Sequence, residues 1–340
     1  MPEETDKRDW RVMSAFSEII GHEKIIEYFK RTISQKHVVS AYILQGEDHS
    51  GKLMLANSIA KALVCKEDDA DGCGECHDCR QAESRNHPDI IYVGHDRNAI
   101  RVDDIRSQIN DTVAIKPYSA DYKIYIVDEA EKMNVQAQNA LLKTLEEPPE
   151  YVVIILLAEN DQVFLPTILS RCITMRLQPV PDETIAAYLR EHFELDEHQV
   201  DICTSFAQGK VGKAIDLATS DEFAQLMAVM LDVVTRIDDM DEFEFGDIVK
   251  SVSEYKLQIY DFFDLMMIWY RDVLYYKATA DVNKLVFKDK IYDIKRQSDK
   301  SSYNGLERII KALETARARI RANVNFDLTI ELLLQAIKEN

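Results

Sequence analysis

The sequence contains few of the residues that build turns. Only 10 glycines and 8 prolines occur among its 340 residues, which argues against an all-β sandwich and favours a helix-rich chain. It also lacks any uninterrupted run of 18 apolar residues, so we expect no membrane-spanning helix. The first residues, MPEETDKRDWRVM, do not show the basic-then-apolar pattern of a signal peptide. We therefore expect a cytoplasmic protein.

Positive charge is also in short supply. The chain has 41 Lys and Arg residues against 60 Asp and Glu residues, a net charge of −19. Broad binding to nucleic-acid phosphates depends on Lys and Arg displacing counterions, so any contact with DNA must be local or made by a partner. The length is enough for two or three domains with cores that need no disulfides.

Strand-like and helix-like segments alternate along about the first 180 residues. Short apolar runs predict strands at 41–45, 89–93, 123–127, 151–158 and 172–177, and amphipathic patterns predict helices at 23–34, 52–64, 102–114 and 134–145. This alternation predicts an α/β domain with a mostly parallel, doubly wound sheet.

Only helical patterns follow the Pro179 and Pro181 pair. They predict helices at 182–192, 197–207, 210–218, 255–276, 306–322 and 328–338, with an acidic linker at 237–247 and a loop or helix break at 288–304. We therefore expect three domains: an α/β domain at 1–178 with an insertion at about 65–80, a small helical domain at 179–240 and a larger helical domain at 245–340.

A phosphate-binding pattern occurs at Gly46-Glu47-Asp48-His49-Ser50-Gly51-Lys52. It lies between a predicted strand and a predicted helix, so backbone N–H groups at the helix start could cradle phosphates while Lys52 reaches the terminal ones. Gly46, Gly51 and Lys52 are therefore candidate nucleotide-binding residues. The simpler alternative is a glycine-rich turn without a ligand. Leu53 stands where a Ser or Thr would bind Mg²⁺.

Two adjacent acids, Asp128 and Glu129, follow the predicted strand at 123–127. In a nucleotide site, Asp128 would orient Mg²⁺ and its water, and Glu129 would polarise the attacking water. They are candidate catalytic carboxylates of a degenerate site. The alternative is a helix start at which acids are favoured by the helix dipole.

Four of the six cysteines are clustered, at Cys65, Cys73, Cys76 and Cys79. Two-residue spacings allow neighbouring thiolates to share one ion, and four thiolates satisfy tetrahedral Zn²⁺. The pattern predicts a closed, structural zinc site. A redox pair or free thiols are the alternatives, although cysteine-rich turns are rare in reduced compartments.

Further motifs identify a family. The segments Asn139–Pro149 (NALLKTLEEPP), Leu165–Cys172 (LPTILSRC) and Asn323–Leu328 (NVNFDL) accompany the loop at Gly46–Lys52, the Asp-Glu pair and the cysteine insertion. Together they resemble the clamp-loader branch of the AAA+ family over the whole chain. The resemblance implies a P-loop AAA+ domain, a small helical lid and a C-terminal helical collar that assembles a ring.

The resemblance also implies partners and one further site. The expected partners are the other clamp-loader subunits, gamma/tau-like motor subunits and delta, reached through the collar, with the sliding clamp and primer-template DNA inside the complex and no membrane. In this family the Ser-Arg-Cys motif presents an arginine finger to a neighbouring subunit, which here is Arg171. A guanidinium supplied in trans neutralises charge on the γ-phosphate. The alternative is a structural cap between helix and strand.

Departures from the family pattern predict a non-motor subunit. Besides Leu53, Gly212 stands where active members carry an Arg, and Glu159 or Asn160 occupies the position that senses the γ-phosphate. We therefore expect ATP binding to be weak or absent and hydrolysis not to occur. The alternatives are an ATP-hydrolysing AAA+ motor subunit of the gamma/tau kind and, less well matched, an unrelated interaction protein built around zinc.

Association is expected to run through residues 245–340. The apolar helix at Phe262–Leu274 (FFDLMMIWYRDVL) carries more bulky surface than a small bundle needs, and such an excess is typical of an interface. The alternative is that these side chains fill the core of their own domain.

Overall fold

The computed structural model describes residues 15–67, 70–94, 99–240 and 242–340. Within these residues the chain forms two compact units. The first contains the described residues up to Ile185 together with Gly209–Lys213, and the second contains Ala186–Gln208 and Ala214–Asn340. The expected division into three domains stays a prediction.

The first unit is built on a five-stranded sheet in which every pair of neighbours is parallel. Its strands are β1 (Ala41–Gln45), β2 (Ile90–Val93), β3 (Lys123–Val127), β4 (Val152–Ala158) and β5 (Ile173–Arg176), in the order β2-β3-β4-β1-β5. In this register Ile43 lies opposite Leu156 on one side and Thr174 on the other. The predicted doubly wound parallel sheet is confirmed.

Six α-helices lie entirely within the described part of the first unit. They are α1 (Glu23–Ser34), α2 (Lys52–Val64), α3 (His77–Glu83), α4 (Val102–Ile105), α5 (Val135–Glu146) and α6 (Pro166–Leu169). The helix predicted at 102–114 is shorter, because α4 ends at Ile105 and a π-helical turn follows over Arg106–Asn110. Near its end the Thr112 hydroxyl donates to the Gln108 carbonyl at 2.7 Å, a bond that competes with the helical ladder.

Alternating residues of β1 supply both faces of the sheet. Tyr42 and Leu44 pack in a cluster with α2 residues such as Leu55, whereas Ile43 packs in a second cluster with α5 residues such as Leu141. Both faces of the sheet are therefore covered by helices, which is why β4 and the last four residues of β3 form unbroken apolar runs. Because all neighbouring strands are parallel, their carboxyl ends lie at one edge of the sheet.

All described elements after β5 are helical. They are α7 (Asp182–His192), α8 (Glu197–Ala207), α9 (Val211–Thr219), α10 (Asp221–Arg236), α11 (Glu242–Ser253), α12 (Ile259–Thr279), α13 (Ile291–Lys300), α14 (Tyr303–Arg321) and α15 (Phe326–Lys338). Among the described residues, none of the helices has the length and apolar character needed to cross a bilayer.

Two predicted irregular segments are mostly helical. The expected linker at 237–247 contains the start of α11, and the expected loop at 288–304 contains α13. The polar character of α13 was misleading because its buried Gln297 has a partner at each end of its amide: the oxygen accepts from the Trp269 indole at 2.7 Å, and the nitrogen donates to the Val234 carbonyl at 2.5 Å. Paired polar groups of this kind belong in a core.

The bulky side chains of α12 fill the core of their own unit. Phe262, Phe263, Met266 and Trp269 are at most 1% exposed, so these four side chains fill the core of their own unit, as the alternative stated, and do not form the expected interface; association through residues 245–340 stays a prediction. Exposed apolar residues of the same unit include Leu257 just before α12 and Tyr260 on it, as well as Val324, Leu328 and Leu332.

Candidate functional site

The carboxyl edge of the sheet carries the phosphate-binding pattern in the place where a ligand would lie. The loop leaves β1, an inner strand of the sheet, at Gly46, whose N–H donates to the Ala158 carbonyl at the end of β4 (3.0 Å). It enters α2 at Gly51, which has a φ of 91° that favours glycine. The predicted loop between a strand and a helix is therefore formed by Gly46, Gly51 and Lys52.

The ammonium group of Lys52 points back at its own loop. It donates to the carbonyl oxygens of Gly46 (2.5 Å) and Glu47 (2.9 Å). In a loaded phosphate loop this lysine would reach the terminal phosphates. Here the carbonyl oxygens of the loop accept the hydrogen bonds that the phosphates would otherwise accept.

Acidic side chains surround the loop. Burial raises the pKa of Glu159 above its usual range, and the charges of Asp48 and Glu131 raise it further, against the opposing charge of Lys52. The negative charges of Asp48 and Glu131 that contribute to this shift would also disfavour a phosphate at the same place. Asn160, the other candidate sensor, instead caps a short turn by accepting from the Gln162 N–H at 2.9 Å.

The segment 209–213 covers the loop from the other side. The Gly212 N–H donates to the His49 carbonyl at 3.0 Å, and a Cβ at Gly212 would lie 2.9 Å from that same oxygen. Lys210 forms an ion pair with Glu47 at 2.5 Å and thereby lowers the pKa of that carboxyl. The arginine of active family members therefore has no room at position 212 in this arrangement.

Asp128 and Glu129 lie directly after β3, at the same edge. The Glu129 N–H donates to the Asp128 carboxylate at 2.9 Å, and the Glu129 side chain pairs with Lys132 at 2.7 Å. Glu129 takes a left-handed backbone conformation, with a φ of 49°. The two carboxylates are thus placed as the sequence predicted, with Glu129 engaged by a neighbouring lysine.

Arg171 follows the short helix α6 and is partly exposed. One terminal nitrogen, Nη1, donates to the Thr167 carbonyl at 2.9 Å and to the Ser170 hydroxyl at 3.3 Å. The other, Nη2, pairs with Glu146 at the end of α5, at 3.0 Å. Sequence reasoning named the segment that contains Glu146 but gave that residue no role, because the pairing depends on how α5 and α6 pack.

The four clustered cysteines come together as predicted. The sulfur atoms of Cys65, Cys73, Cys76 and Cys79 all lie within 4.8 Å of one another, and those of Cys73 and Cys79 are 3.9 Å apart. Four sulfurs bound at ~2.3 Å to one tetrahedral ion would be ~3.8 Å apart. The cluster can therefore hold a metal ion.

Backbone N–H groups in the cluster point at the sulfurs. The N–H of Cys76 donates to Cys73 Sγ (3.3 Å), and the N–H of Cys79 donates to Cys76 Sγ (3.4 Å). Burial raises the pKa of the Cys65 and Cys79 thiols. Burial also acts to raise the pKa of the Cys76 thiol, but hydrogen bonds from the backbone N–H groups of Lys66 and Cys79 and from neighbouring cysteine side chains together lower it to about 7. Such bonds stabilise a thiolate, which is the form that binds metal.

A buried polar network ties the cysteine segment to the sheet. Asp78, between two of the cysteines, pairs with His87 (3.2 Å) and Lys66 (3.2 Å) and accepts from the Ser119 hydroxyl (2.8 Å). Asp89, just before β2, accepts from three consecutive backbone N–H groups, at 2.6 to 3.0 Å. The segment is therefore joined to the α/β core by hydrogen bonds as well as by the chain.

A parallel α/β sheet with a strand-to-helix loop of the phosphate-binding pattern, an Asp-Glu pair after β3 and a helical C-terminal part define a protein of the AAA+ fold class. Residues 21–181 match a family model described as DNA polymerase III, delta subunit. Residues 235–339 match a second model, described as DNA polymerase III, delta subunit, C terminal.

Individual relatives agree with these matches. The DNA polymerase III subunit delta' of Bacillus subtilis (strain 168) is 28% identical over 323 residues, which span 93% of this chain and 96% of that protein. The DNA polymerase III subunit tau/gamma of Haemophilus influenzae is 32% identical over 216 residues, but these span 62% of this chain and 31% of that longer protein. The chain belongs to the delta-prime family of DNA polymerase III subunits, in the clamp-loader branch of the AAA+ proteins.

Among solved structures, a DNA polymerase III gamma subunit-related protein from Thermotoga maritima aligns with 92% of this chain and 98% of its own, at 20% identity and a TM-score of 0.43.

Proposed function

We propose that this chain is the non-motor subunit of a bacterial DNA polymerase III clamp loader, which helps to load the sliding clamp onto primed DNA. Its relative in Bacillus subtilis is a delta' subunit matched over nearly the full length of both chains. Other matched relatives are gamma and tau subunits. The partners are accordingly gamma/tau-like motor subunits and a delta subunit, with the sliding clamp and primer-template DNA bound by the assembled complex.

The single observation that supports a non-motor role most strongly is the closed phosphate loop. Lys52 is bonded to loop carbonyls, and Gly212 is in backbone contact with His49. A motor subunit needs an Mg²⁺-binding hydroxyl where Leu53 stands and a cationic contact to the γ-phosphate from the lid. The motor alternative therefore lacks the groups that its chemistry requires.

Arg171 is proposed as the arginine finger for the ATP site of the neighbouring subunit. It is partly exposed on the first unit, and its guanidinium is already oriented by three hydrogen-bonding partners. An arginine in this role stabilises negative charge on the transferring phosphoryl group. Asp128 and Glu129 would then be remnants of the catalytic carboxylates, which this chain does not use for hydrolysis.

The metal is proposed to be Zn²⁺, held for structural purposes by Cys65, Cys73, Cys76 and Cys79. Four thiolates in a closed tetrahedral arrangement suit zinc and leave no open position for a substrate. The C-terminal helices are proposed to form the collar. Its contact surface would use exposed apolar residues such as Leu328 and Leu332.

The test is reconstitution with purified gamma/tau-like and delta subunits. The isolated chain should show no ATP turnover near the ~1 s⁻¹ typical of slow enzymes, yet clamp loading onto primed DNA should require it. Substantial turnover by the isolated chain that Lys52→Ala abolishes would favour the motor alternative. Clamp loading at full rate without this chain would refute the proposed function itself.

A further inference from the structure

Arg171 is held on the protein surface by contacts of two kinds. The Thr167 carbonyl and the Ser170 hydroxyl lie on its own chain segment and bond to Nη1. Glu146 comes from the end of α5 and bonds to Nη2 at 3.0 Å. The side chain of Arg171 is 35% exposed and that of Glu146 is 51% exposed. The guanidinium is therefore accessible and yet anchored at both terminal nitrogens.

These anchors leave donors available. A guanidinium has five N–H groups, and the three bonds from Arg171 use at most three of them. At least two N–H groups remain for an acceptor supplied by another chain. Because anchoring at both Nη atoms fixes the plane of the group, the remaining donors point in a defined direction rather than sampling many rotamers.

An exposed ion pair of this kind contributes little to folding stability. Its main physical consequence is the orientation of the arginine. Losing a correct orientation is costly in catalysis, because even a small misplacement of a charged group can slow a reaction by up to ~100-fold.

We propose that Glu146 is a positioning residue for Arg171: it fixes the guanidinium so that its free N–H groups meet the γ-phosphate in the neighbouring subunit. This inference rests on the proposed in-trans role of Arg171. Glu146 touches neither nucleotide nor Mg²⁺ in this scheme and acts only through the arginine.

The test uses the reconstituted clamp loader, with wild type, Glu146→Ala, Glu146→Gln, Arg171→Ala and the Arg171→Ala/Glu146→Ala double variant. Glu147→Gln is the matched control, because it removes an adjacent exposed acid. Steady-state ATP hydrolysis is measured against ATP concentration, and complex assembly is measured by gel filtration.

Glu146→Ala should lower kcat at the site served by Arg171 on the order of 10-fold, with KM for ATP and assembly unchanged. Glu146→Gln keeps an acceptor oxygen and should recover most of the rate. Adding Glu146→Ala to Arg171→Ala should cause no further loss, and Glu147→Gln should behave as wild type. If Glu146 had a merely structural role, Glu146→Ala would not lower kcat while leaving KM unchanged. Its effect would also persist in the Arg171→Ala background.

The two hypotheses fail in different ways. If Arg171→Ala lowers turnover while both Glu146 variants match wild type, positioning by Glu146 is refuted and the in-trans arginine stands. If Glu146→Ala raises turnover, the carboxylate restrains Arg171 instead of positioning it, and the inference is again refuted. If Arg171→Ala itself changes nothing in an intact complex, the proposed function of that residue fails.

Discussion

Replacing Arg171 by Ala is the perturbation that tests the proposed chemistry most directly. The contacts of Arg171 within this chain are partly exposed, so their loss should cost only ~0–1 kcal/mol of folding stability. The chain should therefore still fold and assemble. An arginine finger contributes ~10³–10⁵-fold to turnover at the site it serves, which corresponds to about 4–7 kcal/mol at 1.36 kcal/mol per tenfold.

The pair with Glu146 stays formed in this scheme, and its loss in the variant should cost at most about 1 kcal/mol of folding stability. Total ATPase of the reconstituted loader should fall only in part, because other sites have their own arginines, while clamp loading should fall further. Arg171→Lys should rescue little, as an ammonium group cannot reproduce the planar set of donors. ATPase, clamp loading and assembly are scored together. Unchanged ATPase and loading in an intact complex would show that Arg171 is a structural cap.

Three further predictions concern the metal, the contact of Gly212 with the loop, and the buried carboxylate of Asp89. One Zn²⁺ per chain should be found by elemental analysis of protein prepared without chelator, with Zn–S distances of ~2.3 Å by X-ray absorption; four freely titrating thiols and no zinc would contradict this. Gly212→Ala places a Cβ 2.9 Å from the His49 carbonyl and should lower the free energy of unfolding by ~1–3 kcal/mol in urea titrations. The control is the helical Gly246→Ala, whose new Cβ would meet no atom within 4 Å beyond its own stretch of helix and which should be neutral or stabilising; equal effects would argue against the close contact of Gly212 with the loop. Burial acts to raise the pKa of Asp89, but three backbone N–H groups outweigh it and hold that pKa below its usual range. The ionised carboxylate therefore stabilises the fold fully above the pKa of Asp in the unfolded chain, and this stabilisation is lost as pH falls through the folded pKa. Asp89→Asn should therefore be less stable by ~2 kcal/mol near pH 7, and the difference should shrink in denaturation at pH values below about 4.

Regular periodicity made much of the first unit predictable from sequence. β1, β3, α1 and α2 have the predicted bounds, because each is an apolar run or stripe bounded by clear turn residues. The order of the strands in the sheet does not follow from such local patterns, since it depends on which crossovers the helices make. The polar helix α13 was missed because the pairing of Gln297 with Trp269 is a long-range contact.

The candidate site was predictable in its residues but not in its contacts. The spacing of the glycines, lysine and cysteines is a local signal, and the structure brings the four sulfurs together. The ion pair of Glu47 with Lys210 joins residues far apart in the chain. No local sequence pattern indicates that these two residues pair with each other. The pairing of Arg171 with Glu146 was missed for the same reason, although both residues lie in motifs that the sequence singled out.

The closed loop suggests why a chain without the other hydrolytic groups keeps Lys52. Its ammonium group bonds to the Gly46 and Glu47 carbonyls, and its charge opposes the raised pKa of Glu159. In a motor subunit, phosphate would supply the counter-charge that organises such a loop. Here the lysine satisfies the loop directly, so its retention needs no nucleotide.

The last prediction follows from this role of Lys52. Lys52→Met keeps much of the side-chain length but removes the ammonium group, and two hydrogen bonds to carbonyls are lost. The free energy of unfolding should fall by about 1–3 kcal/mol, as measured in urea without nucleotide, and added ATP should not change the difference between variant and wild type. If Lys52→Met were as stable as wild type without nucleotide, but lost a stabilisation that ATP gave to the wild type, Lys52 would serve phosphate binding. The loop would then open to take a ligand, and its closure by Gly212 and Lys210 would be one of two states.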